Sequence, residues 1–291
     1  MTLNYITWNV DPVAFSLGAA QVRWYGICWA LGFLFGYLLM TKVYKKEKMP
    51  EGEMDTLLIY MLVSTVIGAR LGHCLFYEPG YYLSHPVDIL KIWEGGLASH
   101  GGAIGILIGL WLYVRRFNKK TDKKKGEKTH ITYLWILDRI VIPVCLVGAF
   151  IRVGNVFNSE IYGTPTTLPW GFVFVRGSER FLDANGNLLP CHPTGLYEAF
   201  FCIVAMFLLL WMFFKRNIGD RYPGLMFGTF LIIIFGSRIA IEFLKNVQVA
   251  FEKNMVFDMG QWLSVPFVVV GVVMIVWSLR AKPSDSNAVK K

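Results

Sequence analysis

The chain alternates between long apolar stretches and short polar connections that are often basic. Seven stretches are long enough to cross roughly 30 Å of hydrocarbon as helices. They are rich in Gly, Leu, Ile and Phe, as is typical of packed transmembrane helices. The predicted spans are about 22–41, 55–76, 97–114, 134–151, 196–214, 223–244 and 260–279. This pattern predicts an all-α, polytopic integral membrane protein with a single membrane-embedded domain over residues 1–291.

Composition agrees with this interpretation. The chain has 291 residues, of which 55% are hydrophobic and 17% are charged, whereas soluble domains average about 25% charged residues. The first 21 residues contain neither Lys nor Arg and no apolar core. We therefore expect the first span itself, rather than a cleavable signal peptide, to direct insertion.

The distribution of Lys and Arg predicts the orientation. The connections on one side of the spans carry nineteen such residues, including those of the run 115–128, and those on the other side carry five. Because basic loops stay in the cytoplasm, we expect the N-terminus outside, the C-terminus in the cytoplasm and an outer loop over 158–195. The net charge of +9 then reflects topology and contact with anionic lipid headgroups, and no nucleic-acid partner is expected.

Five arginines lie in or at the predicted spans, where a charge costs about 2.5–3.5 kcal/mol on insertion scales. They are Arg23, Arg70, Arg139, Arg152 and Arg238. With the predicted orientation, all except Arg139 fall in the outer half of the membrane, and His100 falls at the same level. The sequence thus predicts that several cationic side chains meet near the outer leaflet.

Each arginine also has a structural interpretation. Arg23 can extend to the membrane surface, Arg139 can pair with Asp138 or reach the cytoplasm, and Arg70 can bind backbone carbonyls. Arg238 lies four residues before Glu242, which is the spacing of an ion pair along one helix face. Arg152 is harder to explain in this way because polar residues follow it closely, namely Asn155, Asn158 and Glu160.

His100 lies in the glycine-rich stretch GGLASHGG at 95–102. An isolated histidine in an apolar helix is more often structural, but this density of glycine indicates close approach by backbone or by a ligand. With an ordinary pKa of about 6.5, histidine is the expected proton acceptor near neutral pH. We find no serine in a nucleophile elbow, no pattern typical of a metal site and no sign of a cofactor.

Several arginines in one leaflet require an anion, and the natural anion at that depth is a lipid phosphate, whose geometry suits guanidinium groups. Asn155, Asn158 and Tyr25 are suited to hydrogen-bond a polar headgroup. An alternative is a transporter or channel that uses the arginines to bind an anionic solute. A third possibility, a structural scaffold, leaves the cost of the buried arginines unexplained.

Four stretches resemble those of the bacterial prolipoprotein diacylglyceryl transferase family. They are GGLASHGG (95–102), RVGNVFNSEIYG (152–163), HPTGLYE (192–198) and SRIAIEF (237–243). The resemblance implies seven transmembrane helices and transfer of the diacylglyceryl group of phosphatidylglycerol to the lipobox cysteine of a preprolipoprotein. It also implies the bacterial cytoplasmic (inner) membrane as the location, with the active site toward the outer leaflet.

The same resemblance implies roles for individual residues. His100 matches the essential histidine of the family, Arg152 its phosphatidylglycerol-binding arginine and Arg238 its second essential arginine. Further matching positions are Tyr25, Asn155 and Glu160, with Arg70 and Glu242 as recurrent charges of the family. The chain departs from the pattern at Lys245, where an arginine is common, and this weakens any expectation of a bidentate contact there.

Overall fold

The computed structural model describes residues 5–18, 20–92, 95–123, 130–246 and 257–281. These residues form two compact units, and the boundaries between them fall inside two long helices. The first unit comprises the described residues up to Met40 and those from Asp138 onward, and the second runs from Thr41 to Leu137. A single domain over 1–291 stays a prediction, and part of the basic run 115–128 lies outside the described residues.

Helices make up most of the described chain. The α-helices are α1 (Trp24–Lys46), α2 (Glu53–Phe76), α3 (Pro79–Ser84), α4 (Ser99–Lys123), α5 (Tyr133–Phe157), α6 (Thr194–Leu210), α7 (Ile218–Arg221), α8 (Leu225–Glu242) and α9 (Met259–Arg280). A 3₁₀ helix covers Pro86–Leu90, and a π-helical segment, Trp211–Lys215, extends α6. The predicted all-α fold class is confirmed.

Six of these helical segments are long and apolar enough to cross a membrane. They are α1, α2, α5, α6 with its π-helical extension, α8 and α9. The predicted span 97–114 overlaps α4, which begins two residues later at Ser99. His100 and the glycines near the start of α4, and Arg115 and Arg116 further along it, dilute its apolar residues. The count of seven spans and the orientation of the termini stay predictions.

Residues before α1 and between α5 and α6 form short strands that the sequence did not indicate. Strand β1 (Ile6–Trp8) pairs in parallel with β4 (Phe172–Phe174), and β2 (Val13–Leu17) pairs antiparallel with β3 (Ala20–Arg23). The Trp8 indole Nε1 donates to the Val156 carbonyl over 2.9 Å. Trp8 also packs against a small apolar core formed by Val156, Tyr162, Phe172, Phe174 and Cys191. This core anchors the last turn of α5.

Within the second unit, α2 and α4 pack through glycine. A Cβ atom on Gly68 or Gly101 would collide with the backbone of the facing helix, and one on Gly72 would lie 2.6 Å from Gly101 Cα. Small residues allow such close approach between transmembrane helices. Gly101, in the second glycine pair of GGLASHGG, therefore serves helix packing, one of the two explanations that the sequence left open.

The neighbouring charges Asp138 and Arg139 are both fully buried on α5. Asp138 accepts the amide protons of Gly224 (2.6 Å) and Phe227 (2.8 Å) at the start of α8. Arg139 donates to the Gly219 carbonyl (3.0 Å) and binds the Asp220 carboxylate (2.7 Å). Asp138 and Arg139 thus stabilise the turn between α7 and α8, a role beyond that of charges at the end of a span.

Candidate functional site

Arg152 lies on α5 itself, because that helix continues six residues beyond the predicted end of its span, to Phe157. Its side chain is 27% exposed, and its Nε lies 2.9 Å from Glu198 Oε2 on α6. The contact is a close ion pair without the alignment of a hydrogen bond. Glu198 is buried and therefore holds the guanidinium group of Arg152 against α6.

Lys245 lies at the centre of the surrounding charges. Its Nζ is 2.8 Å from Glu198 Oε1 and 3.0 Å from Glu242 Oε2, and only 4% of the side chain is exposed. Arg238 Nε lies 3.9 Å from Glu242 Oε2. The ion pair that the spacing of Arg238 and Glu242 suggested is therefore present, but long.

These five side chains, Arg152, Glu198, Arg238, Glu242 and Lys245, form what we call the Arg152–Arg238 network. It contains three cations and two carboxylates, so its formal charge is +1. Charged side chains that are removed from water must be balanced by nearby opposite charges. In this network, one positive charge is not balanced by a carboxylate. The network is therefore suited to bind an anion.

A cavity of about 180 Å³ opens beside this network. Arg152, Glu198 and Arg238 line it together with apolar and small residues of α5, α6 and α8. The Arg238 side chain is 40% exposed, and its Nε has no hydrogen-bond partner among the described residues. Two guanidinium groups from different helices thus face one cavity and retain donors for an oxyanion.

The end of α5 carries a second polar cluster. The amide groups of Asn155 and Asn158 donate to the Glu160 carboxylate over 3.4 Å and 3.1 Å, and the Glu160 amide donates to the Asn155 carbonyl over 3.0 Å. Ser159 has a φ of 53° and Ile161 a φ of 54°, a left-handed backbone that is uncommon for these residues. The chain therefore turns sharply to bring Glu160 back to the helix.

Tyr25 lies near the start of α1 and packs closely on α5. A Cβ atom on Gly154 would lie 2.9 Å from the Tyr25 ring, so glycine is required for this approach. The Tyr25 ring also meets Trp29 edge to face, with centroids 6.3 Å apart. Arg23, by contrast, ends β3 with an exposed side chain, in agreement with the interpretation that it extends to the surface.

The second unit holds the other predicted site residues. The Arg70 guanidinium is buried, with 3% of the residue exposed, and it donates only to backbone carbonyls in the described chain. This is the arrangement that its structural interpretation anticipated. His100 is exposed on the first turn of α4, and none of the described residues bonds to its imidazole ring. The predicted convergence of these two residues with Arg152 and Arg238 stays a prediction.

Comparison with known proteins decides the family. The family model described as prolipoprotein diacylglyceryl transferase matches residues 12–277. A phosphatidylglycerol–prolipoprotein diacylglyceryl transferase of Tolumonas auensis is 47% identical over 94% of this chain and 98% of its own length. Enzymes of the same name from Porphyromonas gingivalis and Chloroherpeton thalassium are 46% and 43% identical, and each alignment covers 96% of this chain and 97% or 96% of the relative. The chain belongs to the prolipoprotein diacylglyceryl transferase family.

Membership of this family confirms the predicted resemblance and the predicted class, a membrane-embedded transferase. It also gives the Arg152–Arg238 network its context. The matched region includes all five residues of the network, and two of them, Arg152 and Arg238, line the cavity beside it.

Two members of the network were not predicted as site residues. Glu198 entered the sequence analysis only as the last residue of HPTGLYE, and Lys245 only as a departure from the family pattern. One signal for Glu198 was available in the sequence, because a carboxylate followed by the long apolar run of α6 requires a partner. For Lys245, the spacing of three residues from Glu242 was a local signal, whereas Glu198 comes from a different helix and leaves no local pattern.

A further unpredicted cluster lies at the start of α6. Trp170 Nε1 donates to the Tyr197 hydroxyl over 2.9 Å, and that hydroxyl lies 3.2 Å from His192 Nδ1. Burial lowers the pKa of His192 below its ordinary value because the charged form is poorly solvated. His192 is therefore neutral near pH 7, with Nδ1 able to accept the tyrosine proton.

Proposed function

We propose that the chain transfers the diacylglyceryl group of phosphatidylglycerol to the lipobox cysteine thiol of a preprolipoprotein, the first step of lipoprotein maturation. A thioether forms, and glycerol 1-phosphate leaves. The relatives are named for phosphatidylglycerol and prolipoprotein. The observation that carries the proposal is the cavity lined by Arg152 and Arg238 beside a network of formal charge +1.

The phosphodiester of phosphatidylglycerol carries one negative charge, which the excess charge of the network complements. The thiolate attacks the glycerol carbon that bears the phosphate ester, the C–O bond breaks, and the electron pair stays on the departing phosphate. Arg152 and Arg238 stabilise this developing charge, and their effect is large where water is excluded. Glu242 acts with Lys245 to hold Arg238 in place.

A thiol with an ordinary pKa of about 8.5 is mostly protonated near neutral pH, so the reaction requires a base. By the family resemblance, His100 takes this proton. The nucleophile belongs to the preprolipoprotein. On the outer side of the chain, Cys191 is unsuited to that part because burial raises the pKa of its thiol to about 11.

The remaining predicted residues recognise the lipid. Asn155, Asn158 and Glu160 provide a compact set of amides and a carboxylate for the glycerol headgroup, and Tyr25 packs against the same helix. Arg70 was expected among the substrate-binding residues, and its carbonyl contacts lead to a different proposal below. The reaction as written requires no metal and no cofactor, because the donor lipid carries its own leaving group.

The proposal includes seven transmembrane helices, an N-terminus outside and a C-terminus in the cytoplasm of a bacterial inner membrane. The asymmetry of Lys and Arg between the two sides supports this orientation. The active site then faces the outer leaflet, and both substrates, being amphiphiles, enter sideways from the bilayer.

The test is an assay in reconstituted vesicles that contain phosphatidylglycerol and a lipobox peptide. Mass spectrometry measures addition of the diacylglyceryl group to the cysteine, and uptake of an anionic solute is measured in the same vesicles. We expect thioether formation without uptake, and no product when phosphatidylglycerol is omitted. Solute uptake without product would favour the transporter alternative.

Two variants assign the roles. We expect Arg152→Ala and His100→Asn to lower turnover at least about 100-fold each, the size typical of lost charge stabilisation or lost base catalysis, while the protein stays folded. Near-normal turnover by Arg152→Ala would remove its phosphate role. Near-normal turnover by His100→Asn would move the base to another residue, with Glu160 and Tyr25 the next candidates.

A further inference from the structure

Arg70 makes an unusual set of contacts for a residue of a membrane-embedded helix. Its Nε donates to Ile89 O (2.9 Å) and Nη2 to Asp88 O (2.6 Å). Its Nη1 donates to Gly95 O (2.7 Å) and Gly96 O (3.3 Å). One guanidinium group thus binds both ends of the segment 88–96, an arrangement that we call the Arg70 carbonyl cage.

The cage leaves no pair of N–H groups of Arg70 free to bind a substrate anion. A guanidinium group has five N–H donors, and four of them are engaged with carbonyls. The group also lies 5.0 Å from the centre of the Tyr82 ring, and 3% of the residue is exposed. Arg152 and Arg238, which face a cavity, differ in both respects.

The cage requires the first two glycines of GGLASHGG. Gly95 and Gly96 have φ values of 92° and 68°, which favour glycine. A Cβ atom on Gly96 would also lie 2.6 Å from His73 Nε2 and 2.8 Å from Arg70 Nη1. These glycines therefore allow two consecutive carbonyls to face the same guanidinium group.

The segment held by the cage leads directly to His100. Two residues after Gly96, the Ala98 amide donates to the carbonyl of Ala69, the neighbour of Arg70, over 2.9 Å. Helix α4 begins at the next residue, Ser99, and His100 follows on its first turn. A shift at the cage is thereby transmitted to the start of α4.

We propose that Arg70 is a positioning residue that fixes the start of α4, and with it His100, instead of contacting the lipid phosphate. This inference rests on the proposed function, in which His100 takes the thiol proton. Small displacements of a reacting group are costly, because a misplacement of about 1 Å lowers a rate about 100-fold. A positioning role should therefore appear in kcat, while the affinity for the lipid is preserved.

The experiment compares three variants in vesicles of phosphatidylglycerol diluted with phosphatidylcholine. Arg70→Lys keeps the charge but cannot reach four carbonyls, and Gly96→Ala disturbs the same cage while keeping Arg70. Arg139→Lys is the matched control, because Arg139 is a buried arginine that also binds a backbone carbonyl, at Gly219. The KM for phosphatidylglycerol is measured as a mole fraction, together with kcat.

We expect Arg70→Lys and Gly96→Ala each to lower kcat roughly 10- to 100-fold with a change in KM below about twofold. The double variant should be little worse than either single one, since both changes act through one cage. Arg139→Lys should leave both constants near those of the wild type. Arg70→Ala with added methylguanidinium should recover part of the lost kcat.

Two outcomes would overturn the inference. One is a tenfold or larger rise in KM with kcat preserved in Arg70→Lys, which would mean direct contact with the lipid. The other is wild-type kcat in folded Gly96→Ala. If Arg70→Lys fails to fold, Gly96→Ala decides. If the wild type forms no thioether, the proposed function itself fails. Amide hydrogen exchange at 95–98 in Arg70→Lys then still tests the cage. Protection equal to that of the wild type would contradict the role of Arg70 in holding this segment.

Discussion

Arg70 and Arg152 are both arginines in apolar helices, and the sequence singled them out for the same reason, yet their surroundings differ. Arg70 gives four hydrogen bonds to neutral carbonyls and is buried. Arg152 is held by one carboxylate and lines a cavity. In the carbonyl cage, Arg70 keeps its full positive charge but has few N–H groups left to donate to a ligand. The Arg152–Arg238 network neutralises part of its charge but keeps donors for a ligand.

This difference shows that the free-energy cost of burying an arginine implies only that its guanidinium group has some binding partner. Whether the partner is the protein or a substrate depends on how many N–H groups remain free and whether space adjoins them. By that criterion, Arg152 and Arg238 are suited to substrate binding and Arg70 to shaping the chain. The following predictions test the contrast, from the largest expected effect to the smallest.

Arg238→Ala should have the largest effect. Removing one of the two guanidinium groups at the cavity should lower turnover about 1000-fold, the upper range for loss of a donor to transition-state charge. The measurement is thioether formation in vesicles. The control is Arg176→Ala, which removes an exposed arginine paired with Asp11 at 2.7 Å and should change turnover less than about twofold, as expected of an exposed ion pair. A loss below tenfold in Arg238→Ala would contradict its role in stabilising the departing phosphate.

Lys245→Met should follow. It leaves the buried carboxylates of Glu198 and Glu242 without their shared cation, and breaking such a pair costs about 3–5 kcal/mol. The free energy of unfolding in detergent micelles should fall accordingly, and turnover should fall because the network loses its excess charge. Lys245→Arg should preserve most of both properties.

Lys120→Met is the matched control for Lys245→Met. Lys120 also binds a buried carboxylate, that of Glu53, at 2.6 Å, but 48% of its side chain is exposed, against 4% for Lys245, and it pairs with one carboxylate instead of two. We therefore expect a much smaller loss of stability. Equal losses in the two variants would show that a central position between two carboxylates has no special importance.

The smallest effect should come from His192, which lies outside the two arginine arrangements. Burial lowers its pKa in the folded state, so the unfolded chain binds more protons between the folded pKa and about 6.5. Stability should therefore fall as the pH drops through and below about 6.5, by about 1.4 kcal/mol for each unit of pKa lowering. Unfolding midpoints between pH 7.5 and 5 measure this, and His192→Asn should remove that part of the pH dependence. An unchanged pH profile in the variant would contradict the assignment.

Much of the helical architecture was predictable. The bounds of α2 and α9 lie within two residues of the predicted spans, because long, predominantly apolar stretches admit few alternatives. The ends of helices were predicted less well where polar residues continue a helix beyond its apolar part. Both α4 and α5 extend well beyond their apolar parts, because backbone hydrogen bonding continues wherever side chains find polar partners. For α5, this extension places Arg152 and Asn155 on a rigid helix rather than in a loop.

The strands before α1 and between α5 and α6 were missed for a different reason. Residues Ile6–Trp8 and Phe172–Phe174 are separated by more than 160 positions, and each is too short to show a period of its own. Their pairing is favoured only because Trp8, Val156 and Phe172 bury one another. A contact of such sequence separation leaves no local pattern.

By itself, the amino-acid sequence determined the membrane-embedded class, the positions of the apolar helices, the family and which charged residues required an explanation, because hydrocarbon penalises charge wherever it occurs. Only the tertiary structure decided what each charge does. It assigned Arg70 to backbone carbonyls 18 to 26 residues away and joined Lys245 to Glu198 on another helix, since such partners lie far along the chain and their distances depend on how the helices pack.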